Sequence, residues 1–341
     1  MHDTISAVNY RTRNLAGIVT ATLIFTCFQV FLQWTQATER AAHPPQFGVT
    51  FAPSQARYLD QDPKRTFRLL LDEVGVRQFR LSAYWNVSEA TSTVYDFSEI
   101  DWQVAEAERR DAQIVLAVGR RLPRWPECHD PSWLADLDAA DVREAQLAYV
   151  RATVEHLRHS PAIIAWQVEN EPFLRIFGNC PPPDMDLLEQ ELALVRSLDT
   201  RPVVITESGE LSTWRHAASL ADVVGVSMYR ITYTPLLGYY PYLLTPNFYT
   251  VRADLFALLT GKRTMVTELQ MEPWLKNGIT ESTVADMYRT LSPEQFNKNA
   301  RYARAAGLSP VYLWGAEWWL WMKEKNDVPE FWDAAKALFR S

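Results

Sequence analysis

Short runs of hydrophobic and β-branched residues alternate with longer amphipathic stretches from Phe47 to the end of the chain. Near-continuous apolar runs of this kind predict strands that are buried on both faces, as in a parallel sheet covered by helices. The intervening stretches, such as DVREAQLAYVRATVEHLRH and DMDLLEQELALVRSL, show the spacing of surface helices. The predicted strands cover 47–52, 78–85, 112–119, 162–170, 202–208, 223–229, 263–269 and 310–316.

Eight strand–helix units in succession favour a (β/α)8 barrel. Such a barrel usually takes about 250 residues plus insertions, which fits the segment 47–341. The alternative is a doubly wound open sheet, and it is weaker because no glycine-rich phosphate-binding turn follows the first strand. The predicted fold class is therefore α/β, with one TIM barrel over residues 47–341 as the only globular domain.

The barrel is preceded by a membrane or signal segment. Residues 15–34, LAGIVTATLIFTCFQVFLQW, form a twenty-residue run without a charged side chain. This run can cross the ~30 Å core of a bilayer, and it exceeds the ~7–15 apolar residues of most signal peptides. Arg11 and Arg13 precede it, so residues 1–14 are expected in the cytoplasm and the rest outside. We expect a signal anchor followed by a linker over 35–46; a cleaved signal peptide, giving a secreted protein, is the alternative.

The amino-acid composition limits the classes of molecule that the chain is expected to bind. The chain is 48% hydrophobic and 22% charged, with a net charge of −7, which is typical of a globular protein. It carries no block of Lys and Arg, so nucleic acid is not an expected partner. It also lacks the HExxH, CxxC, GxSxG and phosphate-loop patterns. We therefore expect neither a metal nor another cofactor.

The ends of the strands carry the candidate chemistry, because active sites of (β/α)8 barrels lie where the strands end. The fourth strand runs from the apolar IIAWQV directly into Glu169–Glu171, and the seventh ends with Glu268. A carboxylate at the edge of a core is costly unless it is hydrogen-bonded or functional. Two carboxyl groups across a barrel mouth suit glycosidic cleavage, in which one donates a proton and the other attacks the anomeric carbon or activates water.

The motif WQVENEP at the fourth strand resembles the signature of the clan A retaining glycoside hydrolases, barrel enzymes that include cellulases, β-mannanases and β-galactosidases. This resemblance covers the whole barrel. It implies that Glu171 is the general acid/base, that Glu268 is the nucleophile, and that Asn170 holds the sugar's 2-hydroxyl group. Arg80 matches the clan arginine that lies near the nucleophile. Tyr229 matches the tyrosine that hydrogen-bonds the nucleophile, and Trp314 matches the tryptophan under the sugar. Many clan members have a histidine between strands four and seven, and the segment SMYRITY contains no counterpart. The resemblance therefore does not identify the exact family or the substrate.

Other aromatic and acidic residues follow the strands and are candidates for substrate contact, since sugars stack on indole rings. These candidates are Trp85, Trp125, Glu207 and Glu317. For Glu317, which lies just past the eighth strand, the capping of a loop is the alternative. Glu207 is also the alternative nucleophile, because it ends the fifth strand in the same Thr-Glu pair as Glu268. Arg80 could equally be an internal counter-ion. The proline-rich loop after the third strand, GRRLPRWPECHDPSW, is expected to shape the binding site.

Two cysteines fall in neighbouring loops, Cys128 after the third strand and Cys180 after the fourth. Loops that follow adjacent parallel strands lie side by side, and the expected compartment is oxidising. We therefore predict a Cys128–Cys180 disulfide with its Cα atoms ~4.4–6.8 Å apart. Two unrelated buried thiols are the alternative.

The predicted function is a retaining β-glycosidase that hydrolyses an extracytoplasmic oligo- or polysaccharide by a two-glutamate double displacement. Such enzymes hold their carboxyl groups ~5–5.5 Å apart. Two alternatives remain open: a transglycosylase that remodels a cell-surface polysaccharide, and a non-catalytic carbohydrate-binding barrel. The expected partners are a carbohydrate and, through the N-terminal segment, a membrane.

Overall fold

The computed structural model describes residues 44–340. Within that range eight parallel strands close into a barrel. The barrel strands are β1 (Phe47–Thr50), β2 (Gln78–Ser82), β3 (Gln113–Val118), β4 (Ile163–Val168), β5 (Val203–Glu207), β6 (Val223–Met228), β9 (Arg263–Gln270) and β10 (Val311–Trp314). Their order around the barrel is β1-β10-β9-β6-β5-β4-β3-β2. Because β1 pairs with both β2 and β10, the sheet has no edge. The predicted (β/α)8 barrel is confirmed, and the open-sheet alternative is excluded.

Helices cover the outside of the barrel. They are α1 (Pro53–Tyr58), α2 (Pro63–Leu69), α3 (Trp85–Ser88), α4 (Ser98–Glu108), α5 (Ala139–Leu157), α6 (Met185–Leu198), α7 (Arg215–Leu220), α8 (Pro246–Thr260), α9 (Val284–Tyr288), α10 (Pro293–Ala306), α11 (Ala316–Lys325) and α12 (Glu330–Arg340). Their ends follow local chemistry: the Asp138 carboxylate accepts from two backbone N–H groups at the start of α5, and Gly307 ends α10 in the left-handed conformation. A hairpin that the sequence did not predict, β7 (Ile231–Thr234) with β8 (Gly238–Pro241), follows β6.

The inside of the barrel changes from apolar to polar along the strands. The layer nearer the amino ends of the strands consists of buried, mostly apolar residues: Val115, Ala165, Val204, Met265 and Tyr312. Side chains two positions further along a strand point to the same face. The next interior layer is therefore polar, with Gln167, Thr206 and Thr267 following Ala165, Val204 and Met265. This polar layer lies beneath the carboxyl ends of the strands.

The predicted membrane segment, residues 15–34, lies outside the described residues. Among residues 44–340, none of the helices combines the length and apolar character needed to cross a bilayer. The anchor and the alternative signal peptide therefore both stay predictions.

Candidate active site

Glu268, near the end of β9, is held by two donors at the carboxyl end of the barrel. The Arg80 Nη1 group donates to its Oε1 at 2.8 Å, and the Tyr229 hydroxyl donates to its Oε2 at 2.9 Å. Arg80 is completely buried and Glu268 nearly so. Charge-assisted bonds of this kind fix the orientation of a carboxylate. The structure thus brings together the three residues that the clan resemblance placed around the nucleophile position.

Arg80 also connects Glu268 to the fourth strand. Its Nε donates to Gln167 Oε1 at 2.7 Å, and its Nη2 donates to Asn170 Oδ1 at 2.6 Å. The guanidinium therefore bonds side chains from β4, from the turn after β4 and from β9. A buried cation needs such partners, because an unpaired one would carry a large desolvation cost. Arg80 is both an internal counter-ion and the residue that aligns Asn170 with Glu268.

Glu171 follows β4 in a tight turn. Glu169 and Glu171 both have a positive φ, 59° and 44°, a region that residues other than glycine seldom adopt. The backbone N–H of Glu171 donates to Thr206 Oγ1 at 2.8 Å, which holds the turn against β5. Burial, followed by the negative charges of Glu268 and Glu127, raises the pKa of Glu171 well above its usual value. A carboxyl group in this environment is suited to hold a proton until a leaving group takes it.

Glu169 points away from the site and braces it. Its two carboxylate oxygens accept from the backbone N–H groups of Arg120 and Arg121, each at 2.7 Å. This close approach requires Gly119, which has a φ of +124° and where a Cβ atom would lie 2.2 Å from Glu169 Oε1. The loop after β3 is thereby tied to the turn after β4, as expected if Glu169 and Asn170 alternate in direction.

Glu127 is a third carboxyl group in the site, although it does not follow the end of a strand directly. It lies in the loop after β3, is buried, and accepts a hydrogen bond from Asn170 Nδ2 at 3.0 Å. Burial, together with the charge of Glu268, raises the pKa of Glu127 to about 8. Asn170 therefore has both of its amide atoms engaged, the oxygen by Arg80 and the nitrogen by Glu127.

Replacing Glu127 with glutamine should flatten the pH dependence of stability. The folded-state pKa of Glu127 is about 8 and its ordinary value is 4.5, so the folded protein retains a proton that the unfolded chain releases. This contribution to stability is full below pH 4.5 and is lost as the pH rises to 8. We expect the Tm of the wild type to fall relative to that of Glu127→Gln across this window. A Tm difference that stays constant between pH 5 and pH 8.5 would contradict the assignment.

The predicted disulfide is confirmed. Cys128 and Cys180 are bonded, with their Cα atoms 5.3 Å apart. The bond joins the loops after β3 and β4, and Cys128 follows Glu127 directly. It therefore stabilises the wall of the site that carries the third carboxyl group.

Reduction of this disulfide should lower the Tm and leave the barrel folded. The sequence separation of 52 residues corresponds to about 4 kcal/mol in the chain-entropy description of a cross-link. We expect Cys128→Ser/Cys180→Ser to melt several degrees below the wild type, because a change of 1 kcal/mol shifts the Tm by about 2–4 °C in domains of about 150–250 residues and by somewhat less in larger ones. Reductant should shift the Tm of the wild type and not that of the variant. Equal shifts in both proteins would show that another effect of the reductant is responsible.

Four aromatic side chains form a wall that leads from solvent to Glu268. Trp125 is 68% exposed and contacts Phe177, with ring centroids 6.0 Å apart. Phe177 contacts Trp274 at 5.3 Å, and Trp274 contacts Tyr229 at 5.1 Å. We call Trp125, Phe177, Trp274 and Tyr229 the aromatic wall. Its rings offer stacking surface to successive sugar units. Trp125 lies where the sequence predicted; Phe177, on an irregular loop, was not among the candidates.

Trp314 lies at the end of β10 with little exposure. Its Nε1 donates to Glu272 Oε1 at 2.7 Å, and the Arg124 guanidinium lies 4.1 Å from the ring centroid. One ring face is therefore covered by Arg124, which also bonds Glu272 and Glu317. Glu317 is completely buried and accepts from the Ala52 N–H at 2.6 Å. Of the two roles expected for Glu317, the structure supports the capping of a loop and not contact with substrate, because its carboxylate holds Arg124 and the loop after β1.

Glu207 is not positioned for catalysis or for substrate contact. Although it ends β5 in a Thr-Glu pair, its carboxylate accepts from the backbone N–H groups of Trp214 at 3.2 Å and Ala217 at 2.8 Å. These groups lie at the start of α7, where a carboxylate is stabilised by unpaired N–H donors. Glu207 is buried beneath them. The sequence-based role in the site, including that of alternative nucleophile, is therefore corrected to a structural one.

Trp85 is likewise a core residue. It is completely buried, stacks on Tyr149 with ring centroids 5.3 Å apart, and donates from Nε1 to Glu89 at 2.7 Å. The prediction extended the second strand to residue 85, whereas β2 ends at Ser82 and α3 begins at Trp85. This helical turn directs the indole into the hydrophobic core against Tyr149 of α5. The prediction that Trp85 contacts substrate is wrong.

Comparison with known proteins shows the fold. No protein-family model matches the sequence, and no curated protein does. Among solved structures, a β-galactosidase from Rahnella sp. R3 is similar over 79% of this chain and 50% of its own, with 13% identity and a TM-score of 0.56. A GH5_18 protein from Streptomyces cattleya in complex with GlcNAc is similar over 80% of this chain and 70% of its own, with 15% identity and a TM-score of 0.53.

A third similar structure is a GH5_18 protein from Bifidobacterium longum subsp. longum in complex with Manβ1-4GlcNAc. It is similar over 79% of this chain and 68% of its own, with 14% identity and a TM-score of 0.55. The chain spans about half the length of the β-galactosidase that it matches. The resemblance to the clan A glycoside hydrolases, first seen in WQVENEP, is thus confirmed at the level of the barrel fold.

Proposed function

We propose that this chain is a retaining β-glycosidase that hydrolyses glycosidic bonds of an extracytoplasmic oligo- or polysaccharide. One observation carries the proposal: at the carboxyl end of the barrel, a carboxyl group with a strongly raised pKa, Glu171, interacts with a second carboxylate, Glu268, that is fixed by Arg80 and Tyr229. This pairing of a proton donor with an oriented nucleophile is what a double displacement requires.

In the first step the Glu268 carboxylate attacks the anomeric carbon while Glu171 gives its proton to the departing oxygen. The product of this step is a glycosyl ester on Glu268 and a free leaving group. Ester formation removes the negative charge of Glu268, which is one of the causes that raise the pKa of Glu171. Glu171 is then better able to act as a base. In the second step it takes a proton from water, which attacks the anomeric carbon and restores both carboxyl groups.

The similar structures support a carbohydrate substrate with a β-linkage. One is described as a β-galactosidase, and one contains Manβ1-4GlcNAc. The aromatic wall adds support, because it offers stacking surface beyond the carboxyl groups. A site for more than one sugar unit suits an oligo- or polysaccharide.

The extracytoplasmic location is also part of the proposal. The Cys128–Cys180 disulfide supports it, because disulfides persist mainly in oxidising compartments. The apolar run at residues 15–34 supports attachment to a membrane, or secretion if that run is cleaved. These two features concern different parts of the chain and agree with each other.

One observation favours transglycosylation as the second candidate. Trp125, the outermost ring of the aromatic wall, is 68% exposed and could hold an acceptor sugar while Glu268 carries the glycosyl group. Product analysis with an added acceptor separates the two activities: transfer products that increase with acceptor concentration favour the transglycosylase.

The proposal is tested by incubating the full chain in detergent with aryl β-glycosides and β-linked polysaccharides. We expect turnover of at least one of these substrates and its loss in Glu268→Ala. The matched control is Glu324→Ala, an exposed acid that pairs with Arg65 on the outside of the barrel and should leave activity unchanged. A folded chain that binds an oligosaccharide of the panel and cleaves none would favour the carbohydrate-binding alternative.

A further inference from the structure

The outward face of α8 is apolar. Val251, Leu255, Leu258 and Leu259 are 55%, 49%, 83% and 68% exposed. Their spacing places them on one side of the helix, whereas Ala253 and Tyr249 on the other side pack into the core. A helix on the surface of a soluble barrel normally turns polar residues outward, so this face lacks the covering that its composition requires. We call these four residues the α8 stripe.

The most exposed part of the stripe lies at the barrel end opposite to the carboxyl groups. Leu258 and Leu259 are in the last turn of α8, only a few residues before β9 begins at Arg263. The start of β9 is at the amino end of the barrel, as is Phe47 at the start of β1. In the barrel only β10 separates β1 from β9. The chain that precedes Phe47 therefore enters the barrel at the same end as these two leucines.

The segment that carries the stripe is basic, although the chain as a whole is acidic. Residues 246–263 contain Arg252, Lys262 and Arg263 against Asp254, a net charge of +2, whereas the chain carries −7. Lys262 and Arg263 lie within one helical turn's length of chain after Leu259. Apolar residues bordered by cations are typical of helices that lie in a membrane interface, where anionic headgroups attract the cations.

We propose that the α8 stripe is a lipid-facing surface that lies in the interface of the membrane to which the N-terminal segment attaches the chain. The proposal rests on the membrane-anchored part of the proposed function. Residues 35–46 would separate the predicted span from the barrel, and twelve extended residues reach at most about 40 Å. Such a short tether keeps the barrel at high local concentration near the bilayer, where a small apolar surface is enough for contact.

Two features of the stripe favour lipid over a second copy of the chain. Stable protein interfaces cover about 800 Å² on each partner, and four side chains of one helix supply only a fraction of that area. A second copy would also bring the same basic residues against themselves in a symmetric contact. Contact with lipid through the last turns of α8 has a functional consequence: the barrel mouth, at the other end of this helix from Leu258 and Leu259, stays clear of the bilayer.

The test uses the full chain in vesicles made of equal parts phosphatidylcholine and phosphatidylglycerol that contain spin-labelled lipid. Cys27→Ser removes the remaining thiol outside the disulfide, and Leu258→Cys carries a fluorophore. The matched control carries it at Glu155→Cys, on the exposed face of α5. We expect lipid quenching at position 258 and none at position 155. With the label at Leu255→Cys, adding Leu259→Asp should abolish the quenching, because it places a charge on the lipid-facing surface.

Each contrary outcome identifies a different error. Vesicles that carry the chain but quench positions 258 and 155 equally would overturn the surface and leave the anchor intact. A position 258 that is shielded in detergent and exposed on dilution would assign the stripe to a second copy. Shielding that is independent of dilution would assign it to the N-terminal segment of the same chain. Failure of the chain to float with vesicles would overturn both the membrane anchor and the lipid-facing surface. Glycoside hydrolysis in detergent is measured separately, so the enzymatic part of the proposed function would be unaffected by this result.

Discussion

Replacing Glu268 with alanine should reduce kcat by at least about 10⁴-fold, because removal of a nucleophile typically costs this much or more. The loss should be the same for good and poor leaving groups, since neither can form the glycosyl ester. Azide should restore part of the activity by occupying the space of the missing carboxylate and attacking the anomeric carbon directly. A single displacement by azide gives a glycosyl azide of inverted configuration, which NMR identifies.

The matched comparison for this variant is Glu207→Ala, which removes the carboxylate that accepts from the N–H groups at the start of α7 and leaves the same space for azide. We expect Glu207→Ala to lower the Tm and to show no rescue by azide. If azide restores activity to Glu207→Ala and not to Glu268→Ala, the nucleophile has been assigned to the wrong strand.

Replacing Glu171 with alanine should have an effect that depends on the leaving group. General acid catalysis typically contributes 10²–10⁴-fold, so kcat/KM for alkyl glycosides and natural oligosaccharides should fall by about that factor. Aryl glycosides whose phenols need no proton should still react with Glu268. They should then accumulate the glycosyl ester, because the base for the second step is missing. Azide should accelerate breakdown of the ester and give a product of retained configuration.

The role of Glu171 as the general acid can be followed through the alkaline limb of the pH profile. The pKa of this carboxyl group is raised by burial and by the charges of Glu268 and Glu127, so the wild type should stay active to a higher pH than an ordinary glutamic acid would allow. In Glu171→Ala the alkaline decrease of kcat/KM for activated substrates should disappear. An unchanged alkaline limb would assign the titrating acid to another residue.

The strand pattern of the sequence was sufficient to predict the barrel and to place Glu171 and Glu268 at its carboxyl end. Parallel buried strands are recognised by continuous apolar runs, and polar residues mark the points where these runs end. Glu171 and Glu268 were found because each directly follows or ends such a run. Arg80 and Tyr229 followed from the clan resemblance, and the structure places both against Glu268.

The residues whose roles were predicted wrongly lie at the ends of the apolar runs. At these points the sequence does not show which face of the strand a side chain takes. Glu207 and Glu268 are equivalent in sequence, since each follows a threonine at a strand end. Only the packing of α7 over β5 shows that Glu207 is covered. Trp85 was assigned to the rim because the prediction did not detect the short helix that starts at this residue. A difference of a few residues at a strand end reverses whether a side chain faces solvent or core.

The residues that the sequence missed lie on loops, where no periodicity indicates direction. Glu127 enters the site from the loop after β3 through a backbone with a φ of 74°. Phe177 joins the aromatic wall from the loop after β4, and Glu210 accepts from the Tyr229 backbone N–H at 2.6 Å from the loop after β5. Two signals were available: the proline-rich loop that contains Glu127 was expected to shape the site, and the pair of cysteines places Glu127 and Phe177 on neighbouring loops.

Trapping of the covalent bond between Glu268 and the sugar tests the double displacement most directly. The full chain is treated with activated 2-deoxy-2-fluoro glycosides of the sugars that it hydrolyses, digested, and analysed by peptide mass spectrometry. We expect one fluoroglycosyl group per chain, attached to the peptide that contains Glu268 and absent from Glu268→Ala. A label on Glu207 or Glu171, or turnover of the fluoroglycoside to an inverted product without any adduct, would contradict the role of Glu268 as the nucleophile.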